Sequence, residues 1–455
     1  MQKNCSAGMS LARALRVERG AVVSFVGGGG KTTAMFRLAF ELSSAGMRVV
    51  TTTTTHISED QARIAPASIH PDNLDRLGDS LDRFHHCLIV GSPDGRGRVC
   101  SISKDLVADL HRRPDIDIII VEADGSRSRP FKAPGEHEPV VPESTTILVP
   151  VVGLNVLGQP LNEDHVHRAE IISDLAKAQP GFPITSETIA RILSHPRGGA
   201  KDLPAGARLV PLLNRADAHP DMSYASQIAR SLLESAHVDS VMISAMIEDP
   251  PVREVWSPVA GIVMAAGSAS RFGAAKQLLP WQETTLVAHC ARNALHAGLD
   301  PVIVALGFDA ENIAGALAGL PVQMIYNPEY GSGQSSSIRK ALEALPKGTG
   351  ASVFLLADQP FVDSSTIRAI VQAHRKSRAP ACVPMFEGRR GNPVLFDKSL
   401  FSELRELSGD TGGRALLEKY EDQVVSVPAS RGVLLDIDTV EDYKTLSKKS
   451  YSRMR

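Results

Sequence analysis

The sequence predicts two α/β domains, each a mainly parallel sheet with helices on both faces, and three observations carry that prediction. Apolar, β-branched runs alternate with helical patterns along the whole chain: AVVSFV, MRVVTT, IDIIIVEAD, TTILVPVV and ARLVPLLN first, then GIVMAA, PVIVAL, VQMIY, SVFLLAD and ACVPM. One opening pattern occurs twice, an apolar run, a glycine-bearing turn and an amphipathic helix: AVVSFV-GGGG-KTTAMFRLAFELSSAG, and GIVMAA-GSASRFG followed by TLVAHCARNALHAG. Between the halves lies EDPPVREVWSPVAG, rich in proline and charge. The expected boundaries are therefore a first domain over 1–248, a linker over 249–259 and a second domain over 260–455.

Composition narrows the partners. A chain of 455 residues with 43% hydrophobic and 22% charged residues exceeds one small core. Its net charge of -2 and pI near 6.7 give no basic stripe for a nucleic acid. The cysteines at 5, 87, 100, 290 and 382 form no CxxC pair, which fits a reducing compartment, so a cytoplasmic location is expected. Arginines interrupt the N-terminal stretch, and the apolar run ILVPVVGLNVLG is too short to span a bilayer; no membrane association is expected.

In the first half, FVGGGGKTT is P-loop-like, although Phe25 occupies the place of the first consensus glycine. Gly28, Gly29 and Gly30 offer successive amides to phosphates, with Lys31 reaching the β and γ phosphates and Thr32 and Thr33 beside them. Thr32 is a candidate Mg²⁺ ligand, as is Glu122, which with Asp124 ends the apolar strand IDIIIVEAD. NRAD at 214–217 reads either as a guanine reader through Asp217 or as a capping loop, so ATP and GTP both stay open. Thr51 to Thr55 read equally as phosphate-side residues or as strand residues. His165 and His167 form a metal pair only if they share a strand face; a hydrogen-bonding role is the plainer reading.

In the second half, ligands are expected beyond the carboxyl ends of the strands. Ala266, Gly267, Ser268 and Gly273 would shape a nucleotide loop, and Arg271 and Lys276 would neutralise phosphates. Asp358 follows one strand and Asp438 another segment; both are hard oxygen donors placed for Mg²⁺. Asp438 also reads as a helix N-cap before TVED, and SGDTGG also reads as a turn.

Taken in order, AAGSASRFGAAKQLLPW, NPEYGSGQSSSI, LLADQPFV, RRGNPVLF, SGDTGGRALL and DIDTVEDY resemble the molybdenum cofactor cytidylyltransferases of the nucleotidyltransferase superfamily. The resemblance implies a Rossmann-like domain that transfers CMP from CTP to molybdenum-loaded molybdopterin with Mg²⁺, releasing pyrophosphate. It implies catalytic roles for Arg271, Lys276 and Asp358. Gly333, Ser335, Ser336 and Ser337 would line the base site, and Asn392 and Asp410 would meet the pterin. One departure is Glu283, in the turn after LLPW, where the family favours glycine.

In the first half, TTTTTHI, VEADGSRSRPFKAP, VVGLNVLGQPL, VHRAE and LNRAD resemble the accessory proteins of selenium-dependent molybdenum hydroxylases. That resemblance implies an NTP-binding domain and a hydroxylase apoenzyme as partner. Other readings stay open: transfer from GTP or to a sugar phosphate, a nucleotide-switched carrier or chaperone, and a small-molecule kinase in the first half.

Overall fold

The computed structural model of the chain describes residues 8–218, 221–267, 275–410 and 412–452. The chain divides into two compact units between Trp256 and Ser257.

Among the described residues, the N-terminal unit is built on a ten-stranded sheet. Its path runs Val252–Trp256, Val241–Ser244, Leu212–Asn214, Ile147–Gly153, Val22–Gly27, Ile118–Glu122, Val49–Thr53, His86–Ile89 and Ser68–Ile69, with Arg208–Leu209 added beside Ile147–Gly153. Successive side chains in the central strands go to opposite faces, as a two-residue period requires. Val22, Val26, Ile119, Val121, Leu148 and Val152 enter one core, whereas Val23, Phe25, Ile118, Ile120, Val149 and Val151 enter the other. The second core is covered by helix Lys31–Ser44, which buries Met35, Leu38, Ala39 and Leu42 on one stripe.

The sheet is parallel except at one edge, where Val252–Trp256 runs antiparallel to Val241–Ser244. Those five residues lie in the segment expected to be a linker. Pro250 and Pro251 precede the strand rather than interrupt it, which an edge strand tolerates. Its buried Glu254 accepts a hydrogen bond from Trp256 Nε1 at 2.8 Å, so the charge that suggested a linker is matched inside the fold.

The C-terminal unit holds an eight-stranded sheet among its described residues. Gln323–Tyr326, Val302–Leu306, Val259–Met264 and Ala351–Leu356 are parallel; Val394–Asp397 then pairs antiparallel with Ala351–Leu356. Ala381–Phe386 and Val425–Pro428 continue the sheet, and the short strand Arg389–Arg390 closes that edge. Again two cores form by alternation: Val263, Val304, Val353 and Leu355 on one face, Ile262, Ile303 and Phe354 on the other. In both units the expected parallel α/β sheet is present, and the two glycine-bearing turns leave the carboxyl ends of central strands.

Candidate functional site

In the N-terminal unit, strand Val22–Gly27 passes through Gly28, Gly29 and Gly30 into helix Lys31–Ser44. The glycines are required by crowding. A Cβ on Gly29, whose φ is +88°, would fall 2.2 Å from Gly153 N, and one on Gly30 would fall 2.4 Å from Asn214 Nδ2. Asn214 donates to Gly29 O at 2.8 Å and accepts from Met246 N at 3.1 Å. The first residue of NRAD is thus a brace for the glycine loop, while Asp217 is exposed in a short 3₁₀ turn.

Lys31 is buried at the head of that helix and donates to Gly27 O at 2.7 Å. Its Nζ lies 3.5 Å from Glu122 and 3.3 Å from Asp124. Burial works against its charge, but Asp124 and Glu122 outweigh burial and hold its pKa above the ordinary lysine value. Thr32 Oγ1 donates to Glu122 Oε2 at 2.7 Å, joining the two expected metal ligands. Burial lifts the Glu122 pKa, with Lys31 and Thr32 opposing it.

Asp124 has a second lysine that the sequence analysis missed. Lys132 Nζ lies 3.0 Å from Asp124 and 2.8 Å from Glu138, and Glu138 is also 2.7 Å from Arg168. Burial opposes the Glu138 charge, yet Arg168 and Lys132 bring its pKa down to about 2. No local motif marks this network; only the pairing of Phe131–Lys132 with Val166–His167 brings it together.

A cavity of about 600 Å³ opens over the glycine loop. Gly29, Gly30, Lys31, Thr32, Thr33 and Glu122 line it with Thr55 and His167. Thr51, Thr52, Thr53 and Thr54 turn their hydroxyls to His86, Ile89, Glu122 and Val140 within the fold, so of the threonine run only Thr55 lines this cavity. His167 lies on the short strand, but His165 sits in the preceding turn against Asn162 Oδ1 at 2.9 Å, and the two do not form a strand-face pair. Burial, with Arg168, Lys132 and Arg127, lowers the His167 pKa and keeps the ring neutral.

In the C-terminal unit, Ala266 and Gly267 follow strand Val259–Met264, while Ser268, Arg271 and Gly273 lie outside the described residues. Gln277, almost fully buried, donates to Ala265 O at 3.2 Å and Gly267 O at 2.9 Å, tying the start of the loop to the residue after Lys276. Lys276 Nζ lies 2.6 Å from Asp358 and 3.1 Å from Asp438. Burial opposes its charge, and the two aspartates more than restore it, so its pKa is raised.

Asp436, which the sequence analysis passed over, completes an acidic group. Burial raises its pKa, and the like charges of Asp358 and Asp438 add to that, while Gln359 donates a hydrogen bond to it. Ile437 explains the arrangement. Its side chain is buried with Trp281, Leu286 and Leu446, and its amide donates to Asp358 O at 3.0 Å, so the acids on either side flank Asp358. The cap of the last helix is Thr439, which accepts from Asp442 N at 3.1 Å while Asp442 accepts from Thr439 N at 2.8 Å. Asp438 is therefore free of capping duty.

Gly333, at φ +110°, begins helix Gln334–Glu343 where a Cβ would meet Gly409. Ser336 and Ser337 differ from expectation: both are buried and their hydroxyls accept from Asn327 Nδ2 at 2.8 and 2.9 Å. They brace the turn before the helix instead of presenting hydroxyls to a base, because Asn327 lies beneath them. Ser335 is buried as well, its amide donating to Gly409 O at 3.2 Å.

Asn392 lines a second cavity of about 600 Å³ with Gln334, Arg389, Arg390 and Arg414 over an apolar floor that includes Met264, Phe354 and Leu356. Met264 and Leu356 end the two central strands whose continuations carry Ala266 and Asp358, so this cavity adjoins the acidic group. Asp410 sits at the same helix start, accepting from Gln334 N at 3.4 Å. In the hairpin after Leu279 the positive φ falls on Gln282, at 51°, so Glu283 meets no left-handed backbone demand.

Comparison with known proteins divides the chain at the same place. Residues 23–170 match the YqeC protein family, and residues 261–424 match the MobA-like NTP transferase domain. The first half is 29% identical to the uncharacterized protein YqeC of Escherichia coli (strain K12), over 52% of this chain and 91% of that one. The molybdenum cofactor cytidylyltransferase of the same organism is 26% identical over 42% of this chain and 97% of its own length. The nicotine blue oxidoreductase of Paenarthrobacter nicotinovorans is 30% identical over 40% of this chain and 93% of its own length. The second half belongs to the MobA-like NTP transferase family. The YqeC-like half precedes it. No described helix is long and apolar enough to cross a membrane.

Proposed function

We propose that the MobA-like domain transfers CMP from CTP to the terminal phosphate of molybdenum-loaded molybdopterin. One observation carries the chemistry: Lys276 stands among Asp358, Asp436 and Asp438 beyond the ends of the central strands. Asp358 and Asp438 are hard oxygen donors that converge on Lys276, and they would hold Mg²⁺. Bound there, Mg²⁺ supplies charge neutralisation for the departing pyrophosphate.

An acceptor phosphate oxygen attacks the α-phosphorus, the bond from that phosphorus to the bridging oxygen breaks, and pyrophosphate leaves. The nucleophile is already anionic, so no protein base is required, and the protein's work is alignment and charge compensation. Lys276 would follow the charge as it moves onto pyrophosphate, with Arg271 as its partner. Gln277 would hold Ala266 and Gly267 in place for the nucleotide. The cavity of Asn392, with its guanidinium rim and apolar floor, suits a flat ring bearing a phosphate, and Asp410 stands beside its entrance helix.

The YqeC-like domain, on this reading, binds an NTP through Gly28 to Gly30, Lys31, Thr32 and Thr33, with Thr32 and Glu122 toward Mg²⁺, and assists maturation of a molybdenum hydroxylase. The close pairing of Thr32 with Glu122 supports it. The test is pyrophosphate release by purified protein given Mg²⁺, molybdenum-loaded molybdopterin and each NTP in turn. Release with CTP above the other three is expected. No release with CTP overturns the reading, and release with GTP instead moves the base preference.

A further inference from the structure

Six cationic side chains line the N-terminal cavity, Lys31 with Arg98, Arg127, Arg129, Arg168 and Arg215, against the carboxylates of Glu122 and Glu138. Three of the six have acidic partners: Lys31 with Glu122 and Asp124, Arg168 with Glu138, and Arg98 with Asp94. Arg127, Arg129 and Arg215 make no ion pair within 4.0 Å among the described residues, although Arg127 is near enough to Glu163 to help lower its pKa.

Two of these guanidiniums belong to segments that clasp the glycine loop. A Cβ on Gly28 would fall 2.5 Å from Arg129 O, one on Gly29 would fall 2.2 Å from Gly153 N, and one on Gly153 would fall 3.3 Å from Arg215 Cδ. The loop therefore lies between the Arg129 backbone on one flank and the Gly153–Arg215 packing on the other. A triphosphate on this loop already has the glycine amides and Lys31, and one arginine suffices for charge that develops during phosphoryl transfer. Three guanidiniums outside any close ion pair exceed that need.

We propose that this cavity holds a second ligand beside the nucleotide, a small phosphomonoester, gripped by Arg127, Arg129 and Arg215. The proposal rests on the NTP reading of the glycine loop. Each guanidinium fork matches a phosphate oxygen pair, and a phosphomonoester has three terminal oxygens to share among three forks, where a carboxylate has two. A cavity of about 600 Å³ that must also admit a triphosphate leaves room for one phosphate and a small body, not for a polymer. The net charge of -2 points the same way.

Hydrogen–deuterium exchange on the full chain tests this, because it reads the two ligands at separate peptides. With Mg²⁺ and a non-hydrolysable NTP analogue, residues 27–33 become protected. Phenyl phosphate added to that complex further protects residues 125–131 without loss at 27–33, and it does so at lower concentration than inorganic phosphate; benzoate at the same concentration does not.

The double substitution Arg127→Ala with Arg129→Ala weakens the phenyl phosphate response by about tenfold or more and leaves the nucleotide response intact. Arg215→Ala does the same from the opposite flank. Competition between phenyl phosphate and the nucleotide analogue overturns the proposal, since the arginines would then serve the triphosphate itself. An unchanged response in these variants also overturns it, as does inorganic phosphate or benzoate protecting as well as the ester. Absence of nucleotide protection at 27–33 overturns the NTP reading and this proposal together, whereas protection there without any at 125–131 overturns only the second ligand.

Discussion

Lys31 and Lys276 each stand beyond a central parallel strand and its glycine-bearing turn, yet their surroundings are opposite in character. The Lys31 side chain is 3% exposed and meets its acids inside the protein, while the cavity above it is lined by five arginines, three of them outside any close ion pair among the described residues. The Lys276 side chain is 20% exposed and faces an excess of carboxylate, Asp358, Asp436 and Asp438. Among the described residues, one corner surrounds its lysine with guanidiniums and the other surrounds it with carboxylates. The strand and glycine-bearing turn that the two units share therefore leave the charge of the corner open, and the distant residues folded against it set that charge.

The largest expected effect is on the acidic corner. Asp358→Ala should lower pyrophosphate release by about 10³-fold, with the melting temperature unchanged, because the Mg²⁺ that Asp358 would hold neutralises the departing group. If release survives, the metal role passes to Asp436 and Asp438. The same contrast appears in stability. Lys31→Ala leaves Glu122 and Asp124 buried with less compensation and should cost the N-terminal unit about 3 kcal/mol in urea unfolding. Lys276→Ala, in a wetter setting, should cost under about 1 kcal/mol while still impairing transfer. Equal losses would erase the distinction between a sealed and an open lysine.

Acid should act on the N-terminal unit through His86. Burial lowers its pKa to about 4, and its ring contacts Thr51 Oγ1 at 2.9 Å. The folded value lies below the unfolded one, so the contribution is complete above pH ~6.5 and is lost as the pH falls from there through about 4. About 3 kcal/mol is at stake. In His86→Gln the stability of this unit should be flatter across that window, as read by urea titrations at successive pH values.

The smallest effect separates capping from catalysis. Thr439→Ala should cost about 1 kcal/mol of stability and leave transfer intact, whereas Asp438→Asn should impair transfer with stability unchanged. The reverse pattern would return Asp438 to a structural role.

The sheets were legible because their signal is local: β-branched runs ending at glycine, with helical periods between them. The lysines and the strand-end acids were legible for the same reason. Partnerships were not. Lys276 meets Asp358 across 82 residues and Asp438 across 162. Arg168 meets Glu138 because a two-stranded pairing sets Val166–His167 beside Phe131–Lys132. Asn214 looked like part of a base reader, and Ser336 and Ser337 like base contacts, because sequence shows a polar side chain without showing that a buried neighbour already claims it. The linker was misjudged at residues 252–256 because prolines at a strand's start and prolines in a loop look alike.

Ile437 has a consequence for the order in which the protein can become active. Its amide bond to Asp358 and its place against Trp281 and Leu446 fasten the acidic group with residues made after the sheet that carries Asp358. On a ribosome, Lys276 and Asp358 emerge long before Asp436 and Asp438, so the nascent domain carries the first two without a finished acidic group. The acidic group would be complete only once residues 436–446 have left the exit tunnel and packed against Trp281.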